Sequence, residues 1–395
     1  FMANSSFDLL KLRASYGRVG NDDIGNYGSR QYYVGQNLLG IQGLIRSNIA
    51  NPGLKWETVT KANLGLDMSI LNDRVSLSLD VFSNKTTDKL IVETTPTVAG
   101  IATMLRNGGG MTTKGVEASL NVKVLNQSAI RWDLGVNIGR AASVIDQLPD
   151  GNLINTFGTA TYLTSVGQAP NAFYGYVAQG VYATDAQAAT AGLQARQPDG
   201  SLRPFKGGDV QFVDLDNNKV IDERDRQIIG NPTPDFFGGI SNHVTYGNFT
   251  VDALVTFVSG NSLYNYTRNV LESVSGTNNQ TQATLNRWRG DGQVTDVPRA
   301  TLGDPMGNSR FSNRWIEDGS YIRLRTVSAS YNFPINRGVL KYLTLYASTN
   351  NLLTFSKYLG YDPEFSATGS PFGQGVDTTL EPIQKSVQIG VKFGL

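Results

Sequence analysis

The chain has 395 residues, 17% of them charged, with 43 glycines, one histidine, no cysteine and a net charge of +1. Balanced charge leaves no basic footprint for nucleic acid, and the lack of cysteine removes disulfides, thiolate zinc sites and cysteine nucleophiles. A lone His243 cannot build a multi-histidine metal centre or most histidine relays, no apolar run nears the ~18 residues of a membrane-crossing helix, and FMANSSFDLL shows no signal-peptide pattern.

Alternation with period 2 dominates the chain. In LKLRASYG, Leu10, Leu12, Ala14 and Tyr16 alternate with Lys11, Arg13 and Ser15, which predicts a strand over 7–17. Strands over 57–70 and 73–84 follow, parted by Leu71 and Asn72. A fourth, over 112–124, sets Val116, Ala118, Leu120 and Val122 against Glu117, Ser119, Asn121 and Lys123. A fifth, over 129–141, sets Trp132, Leu134, Val136 and Ile138 against Arg131, Asp133 and Asn137. The segment 142–235 contains a helical pattern at 184–196. Strands over 236–246 and 248–259 share the single turn residue Gly247, and a second helical pattern lies at 282–289. Strands over 320–333, 341–352 and 384–395 complete the set.

Each of the ten strands reaches about ten residues, whereas globular strands run about 5–6 and a tilted bilayer-crossing strand takes about 9–11. Short turns at one end alternate with long loops at the other, from 85–111 to 142–235. That is the pattern of an outer-membrane barrel. The expected fold is all-β: a transmembrane antiparallel barrel wall with an apolar lipid face and a polar lumen face. Arg13, Asp67, Asp80, Glu117, Lys123, Asp133, Asp252, Lys392 and His243 fall on the lumen side. Tyr16, Trp132, Tyr246 and Phe333 fall near strand ends, where aromatic belts sit. A soluble all-β protein, a sandwich or a β-helix, is the alternative, with shorter strands and more uniform loops.

Several segments resemble SusC/RagA-type TonB-dependent transporters. They are NPGLKWETVTKANLGLDMSILNDRVSLSLDVFSNKTTDKLI (51–91), NGGGMTTKGVEASLN (107–121), GDVQFVDLDNNKVIDERDRQIIGNPTPDFFGGI (208–240), DGSYIRLRTVSASYNFP (318–334) and LYASTNNLLTFSKYLGYDPE (345–364). Phe393 followed by Gly394 and Leu395 departs from the usual aromatic end of such barrels. The resemblance implies that residues 1–395 are the C-terminal part of a 22-stranded, plugged barrel in the outer membrane of Bacteroidetes-like bacteria. It further implies uptake of oligosaccharides or peptides with a SusD-like surface lipoprotein. TonB would drive this through a plug and N-terminal segment absent from this chain. It leaves open whether two transporter units pair. A passive porin and a calcium-stabilised surface glycan-binding protein are the rival readings. No Ser/His/Asp arrangement supports an enzyme.

The acidic segment DLDNNKVIDERD (214–225) places Asp214, Asp216, Asn218, the Val220 carbonyl, Asp222 and Asp225 at positions 1, 3, 5, 7, 9 and 12 of an EF-hand-like loop. Calcium takes six to eight oxygens, and this spacing wraps them round one point. Lys219 stands where glycine usually makes the sharp turn, and the alternative is a solvated acidic turn. Bound Ca²⁺ is expected to stiffen the 142–235 loop. Loop aromatics, with Tyr174, Tyr176, Tyr264, Tyr266 and Trp288 foremost, are candidates for stacking on substrate, against the plainer reading of loop packing. Asn107 and the Gly108-Gly109-Gly110 run lack the Lys-Ser/Thr of a phosphate loop and are expected to form a hinge. Asp362-Pro363-Glu364 is read as a structural turn.

Overall fold

The computed structural model describes residues 6–24, 26–95, 98, 100–101, 103–149, 151–337, 340–365 and 373–394. All ten expected strands form. They are β1 (Phe7–Asn21), β2 (Glu57–Ile70), β3 (Val75–Thr94), β4 (Thr103–Asn126), β5 (Ile130–Gln147), β6 (Phe236–Tyr246), β7 (Phe249–Ser259), β8 (Tyr321–Arg337), β9 (Leu340–Ser356) and β10 (Ser386–Gly394). They make one ten-stranded sheet in sequence order, an antiparallel meander. Contacts divide the chain into two compact units. One comprises residues 1–122, 137–153 and 164–170, and the other residues 123–136, 154–163 and 171–395. No helix is long and apolar enough to cross a membrane among the described residues.

Strand boundaries depart from the alternation where consecutive apolar residues, such as Leu90-Ile91-Val92 and Val144-Ile145, fall on both faces and the period-2 signal fades. β3 and β4 stay paired to Thr94 and Thr103, so most of the expected 85–111 loop is a tall hairpin. β5 continues to Gln147, which moves the start of the long connection from 142 to 148. The expected hinge at Asn107–Gly110 is paired strand instead. Asn107 pins it: its amide donates to the Lys55 and Asp88 carbonyls at 2.8 and 2.7 Å, and the Lys55 N–H donates back to Asn107 Oδ1 at 2.7 Å. The turn residues 338–339 and Leu395 lie outside the described residues.

The two faces of the sheet differ as the alternation requires. In the first unit, register stacks apolar rungs across four strands: Leu10–Met68–Leu77–Leu120, then Leu12–Leu66–Leu79–Ala118, then Ala14–Leu64–Val81–Val116. None of these side chains is buried, and Leu12, Leu64 and Val81 are 76%, 59% and 50% exposed. A soluble monomer does not display an apolar field of this extent; a lipid-facing wall does.

On the opposite face the charges satisfy one another. Arg13 lies opposite Gly65, and Gly65 opposite Asp80. The missing side chain at Gly65 lets the guanidinium lie across the strand, reaching Asp67 Oδ2 and Asp80 Oδ2 at 2.8 Å each. A Cβ on Gly65 would sit 2.6 Å from Arg13 Cζ and 2.7 Å from Asp80 Oδ1. In the second unit, His243 Nδ1 meets Asp252 Oδ1 at 2.6 Å, and the Ser328 hydroxyl donates to Asp252 Oδ2 at 3.2 Å.

Gly65→Ala should therefore push Arg13 off its two carboxylates and cost roughly 1 kcal/mol, the range of a part-exposed ion-pair network. In an Arg13→Ala background the same substitution should be nearly neutral. A thermal-melt double-mutant cycle on the full-length protein measures the difference; additive effects would contradict the bridging role.

Candidate functional site

The acidic segment folds as a loop whose carboxylates converge. Oxygens of Asp214, Asp216 and Asp225 lie within 4.8 Å of one another. Ligands round a Ca²⁺ at 2.3–2.6 Å are separated by at most about 5 Å, so the three fit one ion. Lys219 takes the turn position with φ +66°, the left-handed region usually left to glycine. Its N–H donates to Asp214 Oδ2 at 2.9 Å, and its Nζ donates to the Ala191 carbonyl at 3.3 Å. Asn218 Oδ1 accepts the Val220 N–H at 2.6 Å. Asp225 is fully buried and accepts the N–H groups of Leu215 and Asp222 at 2.8 Å each.

Asp222 departs from the expected set. Its carboxylate faces Arg224 at 2.8 Å and Arg196 at 3.4 Å, and it caps the short helical turn Glu223–Asp225. The Arg224 hydrogen bond holds its pKa well below the usual carboxylate range. This oxygen is committed to arginine, not turned toward the other three carboxylates.

The aromatic candidates separate by burial. Tyr264 is 0% exposed, packs edge-on to Phe311 at 4.8 Å, and is pushed up to about 12 by burial. With Tyr162, Phe173 and Trp315 it forms one loop core. Tyr176 is buried in a second core with Tyr182, Phe205, Val210 and Phe212. The Arg310 guanidinium lies over its ring at 4.8 Å, and that of Arg226 at 5.6 Å. Neither Tyr264 nor Tyr176 has a ring face free to stack on a ligand, which corrects the expectation for both. Trp288 is half-buried: its indole lies against Gly207 and Gly208, and Nε1 donates to the Ala183 carbonyl at 3.0 Å. Tyr174 and Tyr266 are also half-buried.

The expected helix at 184–196 is α1 (Asp185–Ala191), stopped by Gly192 in the left-handed conformation, with Gln194–Arg196 extended. The pattern at 282–289 gives only a 3-10 turn, Gln282–Asn286. A helix the alternation did not reveal is α2 (Tyr266–Glu272), capped by Asn265.

Sequence reading also missed the clamp joining segments 148–235 and 260–320. Asp209 is fully buried. Arg299 donates to both its oxygens at 2.9 and 3.0 Å, and Asn308 Nδ2 donates to Oδ1 at 3.1 Å. The only local hint was the Gly207-Gly208-Asp209 run. Gly208 has φ +82°, and a Cβ there would lie 2.5 Å from the Trp288 ring. Nearby, Arg268 and Arg314 both pack on the Trp315 ring, at 5.5 and 5.0 Å. Burial, reinforced by the Arg268 charge, lowers Arg314 to about 10. Asp362 and Glu364 hold Arg323 and Arg325 at 2.5 Å each, in a structural role.

Residues 4–352 match the family described as TonB dependent receptor-like, beta-barrel. The chain belongs to that family. The TonB-dependent receptor P3 of Formosa agariphila is 35% identical over 378 residues, covering 91% of this chain and 36% of the relative. The TonB-dependent receptor SusC of Bacteroides thetaiotaomicron is 26% identical over 415 residues, covering 97% of this chain and 37% of the relative. The solved structure of the RagAB peptide transporter superposes with a TM-score of 0.83 at 25% identity, over 100% of this chain and 42% of that one. This TonB-dependent receptor barrel, of SusC/RagA type and placed in the outer membrane, spans well under half the length of these relatives.

Asp209→Ala should leave Arg299 charged and unpaired, costing about 3–5 kcal/mol of loop-core stability. The receptor should remain in the membrane while Trp288 fluorescence shifts to the red and segment 260–320 becomes protease-sensitive. Unchanged emission and cleavage would contradict the clamp.

Proposed function

We propose that this chain is the C-terminal barrel wall and loop platform of an energised outer-membrane importer for oligosaccharides or peptides. A SusD-like surface lipoprotein would cover it, and TonB would act through parts of the protein beyond this chain. The observation that carries the reading is the superposition on the RagAB peptide transporter along the whole chain, loops included. The loops support it physically. They are folded around two apolar cores and a buried ion pair, which is the rigidity a capture surface requires. Of the aromatic candidates, Tyr174, Tyr266 and Trp288 retain partial exposure for substrate contact. The family and structural matches give no support to the passive porin or the soluble binding module.

The direct test is uptake of labelled oligosaccharide and peptide pools by cells with and without the full-length receptor. Receptor-dependent uptake should stop when a protonophore discharges the inner-membrane gradient. Uptake that persists without the gradient would sink the energised mechanism.

We also propose a structural Ca²⁺ in the 214–225 loop. Asp214, Asp216 and Asp225 would supply carboxylates, with the Asn218 side chain and Val220 carbonyl completing the set; Asp222 would stay on its arginines. Terbium luminescence should appear on titration and be quenched by Ca²⁺. Lys219→Gly should stabilise the loop with or without the ion, because it removes about 1 kcal/mol of left-handed strain that the loop already carries before an ion binds. Terbium binding unaffected by Asp214→Asn and Asp216→Asn would refute the site.

A further inference from the structure

We propose that the lipid-facing wall of β1–β4, at its long-loop end, binds the phosphorylated saccharide headgroup of an outer-leaflet glycolipid. The inference rests on the outer-membrane placement of the barrel and goes beyond import.

The three apolar rungs of this face end at Ala14–Leu64–Val81–Val116. The next rung carries Tyr16, Ala62, Ser83 and Lys114, and the one above it Arg18, Thr60, Lys85 and Thr112. Successive rungs stand about 7 Å apart along the strand. Within one step the wall therefore changes from hydrocarbon-compatible to cationic. Arg18, Lys85 and Lys114 are exposed and make no ion pair among the described residues. Neither rung holds a carboxylate. Three cations that make no ion pair among the described residues, bordering an apolar band, complement an anion anchored in lipid.

Directly above lies a recess of about 230 Å³, lined by Lys85, Thr87, Asp88, Gly110 and Asp146 among others. It exists because the β3–β4 ladder breaks there. Register shifts fall between Thr86 and Lys89 and between Lys89 and Leu90, and Asp88 turns with φ +53°. Bulges of this kind re-aim side chains at barrel rims. The Thr112 hydroxyl donates to Asp146 Oδ2 at 2.6 Å, fixing one carboxylate at the mouth.

The recess chemistry selects the headgroup. Two carboxylates disfavour a bare phosphate inside it, and the Lys85 ammonium disfavours a metal cation. Carboxylates, threonine hydroxyls and an ammonium together suit the hydroxyls of a neutral sugar ring. The order along the strand (apolar, cationic, hydroxyl-binding) repeats the order of acyl chain, phosphate and sugar in a phosphorylated glycolipid.

The test is native mass spectrometry of the full-length receptor in a neutral detergent. The probes are lipid A (an acylated, bis-phosphorylated glucosamine disaccharide), phosphatidylglycerol and free glucosamine 6-phosphate. Wild type should retain lipid A. The combined Arg18→Ser, Lys85→Ser and Lys114→Ser variant should lose affinity on the order of a hundredfold, at roughly fivefold per cation. Gly110→Val fills the recess where the nearest atom to an added Cβ is 3.5 Å away; it should weaken lipid A and leave phosphatidylglycerol unchanged. Equal lipid A retention by wild type and the triple variant would overturn the site. Binding of free glucosamine 6-phosphate as tightly as lipid A would reassign it to a soluble sugar phosphate and overturn the lipid assignment. Recovery of each variant in the outer-membrane fraction as a heat-modifiable, folded barrel separates failure of the site from failure of the membrane placement.

Discussion

Inside a hydrocarbon layer a backbone N–H or C=O has no water to fall back on, so each must find its partner within the protein. The cheapest arrangement pairs each strand with the next one in sequence, and all ten strands here do so. From that single requirement follow the period-2 alternation, the apolar outer rungs and the polar inner face. The inner charges need not be eliminated; they need only each other. Arg13, Asp67 and Asp80 meet that condition because Gly65 leaves room for a guanidinium to cross a strand.

Beyond the membrane the requirement relaxes, and the chain behaves as a globular protein with water on every side. There the aromatics change role. Tyr162, Phe173, Tyr264 and Trp315 are spent on building a core, and a core residue has no face left for a ligand. A buried carboxylate such as Asp209 is tolerable only because Arg299 and Asn308 occupy its oxygens. The arginines that stack on Tyr176 and Trp315 stiffen the same region by covering ring faces.

The sequence was most legible where one face is apolar. The middle of every sheet strand could be read from alternation, and so could the sheet order, since the shortest turns join sequence neighbours. The upper ends of β3, β4 and β5 could not, because Leu90-Ile91-Val92, Met104-Leu105 and Val144-Ile145 put apolar residues on both faces and no period of two survives. Asn107–Gly110 misled for a related reason: three glycines suggest freedom, yet Asn107 hydrogen bonds on both sides fix the segment. In the acidic loop, spacing brought Asp214, Asp216 and Asp225 together. It could not show that Arg196, remote in sequence, would claim Asp222. The Asp209–Arg299 pair lay beyond any local pattern, since its halves belong to loops on either side of an intervening hairpin.

That last pair has a bearing on how such receptors can be altered. Loops on a barrel are usually regarded as independent modules, each exchangeable without regard to its neighbours. Here segments 148–235 and 260–320 share a buried ion pair and a packed interior. A graft that replaced one of them alone would strand half of the clamp, part Met306 from the first core, and separate Ala160, Tyr162 and Phe173 from Tyr264, Phe311 and Trp315 in the second. These loops are thus altered or lost together, and the last loop is tied to them through the pairing of Tyr264 with Val376.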